Sequence, residues 1–546
     1  MNDRPHRHAY ILSGLAVLAL VHAWVLMTHL SASDPWYRNT DMNMHNLVDA
    51  LTLNSGLAPK QMDQPGVTLK CFLALDYRIR HELGLLPVWN LQELDASPDP
   101  VAELPALVRI GRVHSRVIVM LLILCAAGLT HDVTRNREAT VLCLILLSGC
   151  SGLLFHGLLT RPELLCVGFG GVLALWAAWR SSASRWWPAR QGWLVTAGFL
   201  GGLSAMGKLP GVCFVAMAFA WCWIAAWIAP GRESDHSDDR GLAGFTPSLV
   251  AVTGGLATFW LLVVLTPHHD DLGPVVVQRM RLAGLGAALL PLLVLPRGRG
   301  RTWSFLRERI RELGLLAGGL LGAFAACYLL ARLMLPVDSA GQLFTRALHF
   351  LVNPAPYMVS FLSTTPNTVR EALAFMREAP FAFGGAGLAI LVVFLLRGTS
   401  PRLRAFIVLL AAGAIGLVLL LSRRYFAAQY GIFPQVPLLI VVALGFHAFC
   451  LHARETALPG KSTVQKQLIF AVALLLMVTA YFRLQPKYTC FQDDARLPTN
   501  EFTRTFIFDH DAHPAAYREL MRRHYGDRQQ FVAHLEAYLA DPAHRR

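Results

Sequence analysis

The chain has 546 residues, of which 54% are hydrophobic and only 15% charged, against about 25% charged in an ordinary soluble domain. That balance excludes a single water-soluble core of this size, which would split into domains, and matches a polytopic membrane protein. A net charge of +14 would suit a nucleic-acid binder, but the Arg and Lys sit mainly in short links between apolar runs, where they set topology.

The first apolar run, "AYILSGLAVLALVHAWVLMTHL", follows the basic "RPHRH". It is long for a signal-peptide core and no A-x-A-like site follows, so it reads as an uncleaved span. Further runs lie near 114–130, 139–156, 163–179, 193–207, 209–229, 245–266, 274–296, 313–335, 381–397, 405–421, 431–452 and 467–482. With 10–30 they predict thirteen helices suited to a hydrocarbon layer of roughly 30 Å, in an all-α integral membrane protein. With the N-terminus cytoplasmic, seven cytoplasmic segments carry 21 Arg and Lys, whereas the four short links on the other face carry only Arg161, Lys208, Arg423 and Arg424. The positive-inside rule therefore favours one orientation, with the C-terminus outside. An Arg content of 43 against 6 Lys fits a GC-rich bacterial gene and points to the bacterial inner membrane.

Three long segments share the outer face: residues 31–113, 336–380 and 483–546. The first predicts helices near 41–55 and 67–82. In the second of these, Val67, Leu69, Phe72, Leu73 and Leu75 accompany Lys70, Arg78 and Arg80, a pattern for a helix lying in the membrane interface with its apolar side in lipid. The tail predicts a small outer domain at 483–546, following a 1–482 membrane domain. Its two helices start at Pro514 and Asp527 and stop at Gly526 and Pro542. No internal repeat, P-loop or GxGxxG after a strand occurs. Eight of the ten cysteines fall inside apolar runs and read as packing residues. Cys71 and Cys490 fall in outer segments, which leaves a disulfide between them open.

A charge at a span end needs no function, but several aimed at one aqueous face build a site. "LLTRPELL" supplies Arg161 and Glu163, "SAMGKLPG" supplies Lys208, and "LSRRYFAAQYG" supplies Arg423, Arg424 and Tyr425. "RNTDMNMHNLVDAL" adds Asp41 just after the first span, and "KQMDQPGVTL" adds Asp63, Gln64 and Pro65. Carboxylates and cations on one leaflet surface suit transfer of a group from a lipid phosphate. The acid activates an acceptor hydroxyl while Lys or Arg stabilises the departing phosphate. Each residue also has a plain reading. Asp41 and Glu163 suit helix first turns, and Lys208, Arg423 and Arg424 suit interfacial anchors. "PHHDDLGP" holds metal-capable types, but adjacent side chains seldom converge on one ion, so it reads as a solvated loop and no metal or other cofactor is required.

An acid after the first span, a Gly56-to-Pro59 turn, "DQPGVTL", "TRPELL" entering the fourth span, "GKLPG" between the fifth and sixth, and "RRYFAAQYGIFPQVPLL" near the twelfth occur in one order. In that order they resemble the GT-C membrane glycosyltransferases, in particular the protein O-mannosyltransferases and the lipid A aminoarabinose transferase. The resemblance covers about residues 10–482. It implies a polyprenyl-phosphate sugar donor, an outer-face acceptor that is a lipid, glycan or protein, and inversion at the sugar. It implies Asp41 as catalytic carboxylate, with Lys208 and Arg424 at the donor phosphate or pocket. Two departures stand out. Asp41 is followed by Met42 where many relatives have an acidic pair, leaving Asp41 alone or dependent on Glu163. Gln64 stands where relatives often have His or Lys, which moves phosphate binding toward Lys208, Arg423 or Arg424. The rival readings are a flippase for a lipid-linked sugar, which needs polar or broken helices at the midplane, and a non-catalytic partner in envelope-glycan assembly.

Overall fold

The computed structural model describes residues 4–33, 35–37, 40–59, 66–184, 186–208, 210–228, 301–336, 338–343, 365–395, 399–422, 428–455, 459–484, 507–511 and 513–545. Among them every regular element is helical. In chain order these are α1 (Arg4–Ser33), α2 (Thr40–Asn54), α3 (Val67–Glu82), α4 (Leu91–Ala96), α5 (Pro100–Thr134), α6 (Arg137–Ser148) and α7 (Ser151–His156). They continue with α8 (Glu163–Ala183), α9 (Trp187–Gly207), α10 (Gly211–Ile228), α11 (Arg301–Met334), α12 (Thr365–Glu378) and α13 (Pro380–Leu395). The last are α14 (Pro401–Ser422), α15 (Ile432–Glu455), α16 (Pro459–Val478), α17 (Ala515–Tyr525) and α18 (Arg528–Ala540).

Among the described residues six helices are long and apolar enough to cross a membrane: α1, α5, α8, α11, α14 and α15. The bent pair α12 and α13, which turns through 93° just before Pro380, makes up to seven. The chain is a multi-pass membrane protein. The apolar runs at 245–266 and 274–296 lie outside the described residues.

The run at 139–156 is not one continuous helix. It breaks at Gly149 and Cys150 into α6 and the short α7. In an apolar layer, backbone groups released by a break must find partners within the protein. Two distant side chains provide them here: Arg483 donates to the Gly149 carbonyl at 3.0 Å, and Gln435 Oε1 accepts the Gly152 N–H at 3.1 Å.

Among the described residues two cores divide the molecule. One runs through the bundle, built from α1 and α5 to α16. The other unites α2, α3, α4, the start of α5 and the far end of α11 with α17 and α18, so the C-terminal helices share a core with the first loop. Sequence chemistry explains the local structure. Asp527 caps α18 in a reciprocal arrangement with Gln530, satisfying two end-of-helix donors at once, and Gly526 takes a positive φ of 69° at the end of α17. Asp99 caps α5 through the Val101 N–H at 3.1 Å and also accepts the Tyr525 hydroxyl at 2.5 Å. Burial, reinforced by Asp99, pushes that phenol well above its usual range, so it remains a donor. Arg523 joins Asp95 at 2.8 Å, and Trp36 Nε1 donates to the His544 carbonyl at 3.2 Å.

Within the loop layer, α2 and α3 are locked by Lys70 and Asp49, 2.7 Å apart and almost completely buried. The interfacial pattern of α3 is thereby resolved into two faces. Val67, Leu69, Lys70 and Leu73 face protein, while Phe72 and Leu75 remain exposed. Cys71 is buried in the same core, which pushes its thiol up to about 12; Cys490 lies outside the described residues.

Among the described residues α9 and α11 cross with their backbones in close approach. A Cβ at Gly198 would collide with the Leu316 carbonyl, and one at Gly319 with the Val195 carbonyl, as expected where small residues let membrane helices approach closely. Gly198→Ala should therefore force the helices apart and cost about 1–3 kcal/mol. Gly192→Ala, on the same helix with open space around it, should leave the melting temperature in detergent unchanged; equal effects would contradict this packing.

Candidate functional site

Glu163 opens α8 immediately after Pro162, the helix-start pattern read from "TRPELL". Beyond that first turn, residues Val167–Ala174 wind in wide π-type turns, a departure frequent at functional sites. Glu163 is completely buried. Its Oε1 accepts a hydrogen bond from Lys208 Nζ and lies 3.2 Å from Arg161 Nη2, while among the described residues Oε2 has no hydrogen-bond partner. Arg161 and Lys208 are themselves buried. Lys208 is thus not an anchor reaching for headgroups: its ammonium is held between a carboxylate and the face of Tyr430, 5.2 Å from the ring centroid. His156, also fully buried, adds a titratable ring to the same neighbourhood.

Backbone ties bring the other sequence motifs to this cluster. The residue before Arg161, Thr160, donates its N–H to Asn43 Oδ1 at 3.1 Å and accepts from Asn46 Nδ2 at 2.8 Å. The first turns of α2, which begin at Thr40 and include Asp41, are thereby fastened to the segment carrying Arg161 and Glu163. Gly66, the last residue of "DQPG", takes a positive φ of 50° and donates its N–H to the carbonyl of Gly207 at 2.9 Å, one residue from Lys208. Ser204 fixes α9 to α8 by donating to the Cys166 carbonyl at 2.7 Å. Gln435, in "GIFPQVPLL", accepts from Cys150 Sγ at 3.3 Å as well as from Gly152, which joins the start of α15 to the start of α7.

Of the residues singled out from sequence, Glu163, Lys208 and Arg161 meet directly. Asp41 stands in the first turn of α2 and its side chain lies outside the described set; Asp63, Gln64, Pro65, Arg423, Arg424 and Tyr425 lie outside the described residues altogether, as does "PHHDDLGP". Sequence reading missed Asn43, Asn46, His156, Thr160, Tyr430 and Gln435. The available signal was a polar side chain stranded in an apolar run, as at His156 and Gln435, and two asparagines three residues apart on one face of α2.

No protein-family model matches the sequence, and no curated protein matches it. Two solved structures are similar to the chain. One is ArnT from Cupriavidus metallidurans in the apo state, 14% identical over 82% of this chain and 78% of that one, with a TM-score of 0.24. The other is ArnT from the same organism bound to undecaprenyl phosphate, 14% identical over 97% and 88%, with a TM-score of 0.25.

The arrangement can do two things chemically. It presents cations whose positions are fixed by a shared buried carboxylate, which suits recognition of an oxyanion. It also keeps that carboxylate occupied, since both cations converge on Oε1, so Glu163 serves as a counter-ion before it serves as a base. Among the described residues no group of His, Cys, Asp and Glu could hold a metal ion. Glu163→Ala leaves Lys208 and Arg161 buried without their common anion and should cost roughly 3–5 kcal/mol. Combining it with Lys208→Met should restore part of that stability. A double-mutant cycle of thermal unfolding showing simple additivity would mean the two groups do not interact.

Proposed function

We propose that the chain is a GT-C-type membrane glycosyltransferase that moves a sugar from a polyprenyl-phosphate donor to a hydroxyl-bearing acceptor on the outer face of a bacterial inner membrane. The observation that carries this reading is the convergence of five separate motif segments on the buried Glu163, Lys208 and Arg161 cluster, through Thr160 with Asn43 and Asn46, Gly66 with Gly207, and Lys208 with Tyr430. Such convergence is expected of parts of one site and not of independent interfacial anchors. The topology assigned to it has the N-terminus cytoplasmic, a membrane domain at 1–482 and an outer C-terminal unit at 483–546.

In the proposed reaction an acceptor hydroxyl oxygen attacks the anomeric carbon as the bond from that carbon to the phosphate oxygen breaks. The hydroxyl proton passes to the Asp41 carboxylate, the electron pair leaves with the phosphate, and configuration inverts. Lys208, Arg161, Arg423 and Arg424, with the Tyr425 hydroxyl, stabilise the charge developing on the leaving oxygen, and Glu163 holds Lys208 and Arg161 ready for it. Asp63, Gln64 and Pro65 shape the approach from the first loop, with Gln64 contributing hydrogen bonds and no charge. The acceptor is a lipid, glycan or protein.

Replacing the base should lower the rate by about 10²–10⁴-fold. Asp41→Asn in intact membranes should therefore abolish detectable transfer while protein level and membrane insertion persist. The measurement is mass spectrometry of envelope glycolipids and glycans with and without the gene, joined to release of free polyprenyl phosphate by the purified protein. Near-normal transfer by the variant would remove Asp41 from the mechanism; transport of the lipid-linked sugar without release of free polyprenyl phosphate would replace the enzyme with a flippase.

A further inference from the structure

Helix α3 turns one face inward and leaves the other uncovered. Phe72, Leu75, Ile79 and Leu83 recur three and four residues apart, so they form one ridge, and they are between 40% and 66% exposed. Leu85 prolongs the ridge beyond the helix end and is 65% exposed. The opposite side of α3 is buried through Val67, Leu69, Leu73, Ala74 and Tyr77, so the ridge is a second apolar face of a helix that already has a core. Contiguous large apolar side chains on a folded surface mark something that covers them.

The surroundings of the ridge identify the occupant. The Phe72 ring meets His114 of α5 edge to face, with centroids 5.4 Å apart. His114 adjoins the exposed stripe of α5 formed by Val113, Val117, Leu121 and Leu124, on a helix long and apolar enough to cross a membrane. The ridge is therefore continuous with the exposed apolar stripe of a helix suited to cross a membrane. By helical periodicity Arg78 and Arg80 flank it on opposite sides. Arg78 lies over the Trp89 ring at 5.5 Å and Arg80 pairs with Asp76 at 2.6 Å. Basic side chains and a tryptophan bordering an apolar strip are what the boundary between headgroups and acyl chains selects.

We infer that the ridge from Phe72 to Leu83 is a lipid-docking surface, seated at the edge of the bilayer with anionic phospholipid as its occupant. Phe72, Leu75, Ile79 and Leu83 enter the acyl region, and Arg78 and Arg80 meet headgroup phosphates. The seat is mechanically connected to the cation cluster, because α3 begins at the Gly66 N–H that is bonded to the Gly207 carbonyl beside Lys208. The inference holds whatever reaction the cluster performs.

The test places p-benzoylphenylalanine at Leu75 and, separately, at Ile79, with the exposed Gln529 of α18 as an aqueous control, in full-length protein in nanodiscs of phosphatidylglycerol and phosphatidylethanolamine. Two ridge positions keep the test intact if one variant fails to fold. Irradiation should give phospholipid adducts at Leu75 or Ile79 in several-fold excess over Gln529, and Arg78→Gln should lower the share of phosphatidylglycerol among them. Adduct yields equal to the control would put the ridge in water and overturn the inference. Cross-links between two copies of the chain would overturn it in favour of a protein-covered face, and an unchanged phosphatidylglycerol share would overturn the anionic preference.

Discussion

The structure turns on one carboxylate oxygen. Glu163 Oε1 is approached by both Lys208 and Arg161, and all three side chains are buried. Leaving any one of these charges buried alone would carry a penalty of several kcal/mol, so the elements that carry them cannot move independently. Arg161 belongs to the link after α7, Glu163 to the start of α8, and Lys208 to the junction of α9 and α10. The cluster therefore fixes the segment after α7, the start of α8 and the junction of α9 and α10 relative to one another. The ties through Thr160, Gly207 and Tyr430 then add α2, α3 and the segment before α15 to the same frame.

That frame also explains why the first loop needs its own core. A catalytic group carried on a loop is only as well placed as the loop is rigid, and an error of about 1 Å can cost on the order of 100-fold in rate. Here α2 is restrained by the buried pair of Lys70 and Asp49 against α3 and by Asn43 and Asn46 against Thr160. The C-terminal helices close over the same layer through Tyr525, Asp99 and Asp95. His45 stands 3.8 Å from Asp49 and stacks on the buried His513 with centroids 6.0 Å apart, so the tail also reaches the lock between α2 and α3.

Legibility in the sequence followed the range of the interaction. The helices near 41–55 and 67–82 and both tail helices could be read because their signals are local: apolar periodicity, Pro514, the Asp527 cap and a glycine at Gly526 suited to positive φ. The break inside 139–156 could not, because the partners that stabilise it, Arg483 and Gln435, come from helices hundreds of residues away. The double-faced nature of α3 was hidden for the same reason, since Lys70 looks like an interfacial cation until Asp49 is found beside it. At the site, the types and order of Arg161, Glu163 and Lys208 were visible. That Glu163 is a shared counter-ion was not, because hydropathy places each residue at a span end without saying which span ends are neighbours.

A buried acid beside cations is easily taken for a general base, and the geometry argues for a different division of labour. Glu163 Oε1 is taken up by Lys208 and Arg161 together, a geometry that suits holding two cations in place rather than receiving a proton from an acceptor. Glu163 thus fixes the positions of Lys208 and Arg161, and in the proposed reaction proton transfer falls to an acid outside the cluster. Asp41, at the start of a helix fastened to Thr160, fits that separate role. Its solitary position before Met42 is then less of a deficit for the proposed reaction, because the segment fastened to α2 at Thr160 also carries a second acid, Glu163, which holds the cations.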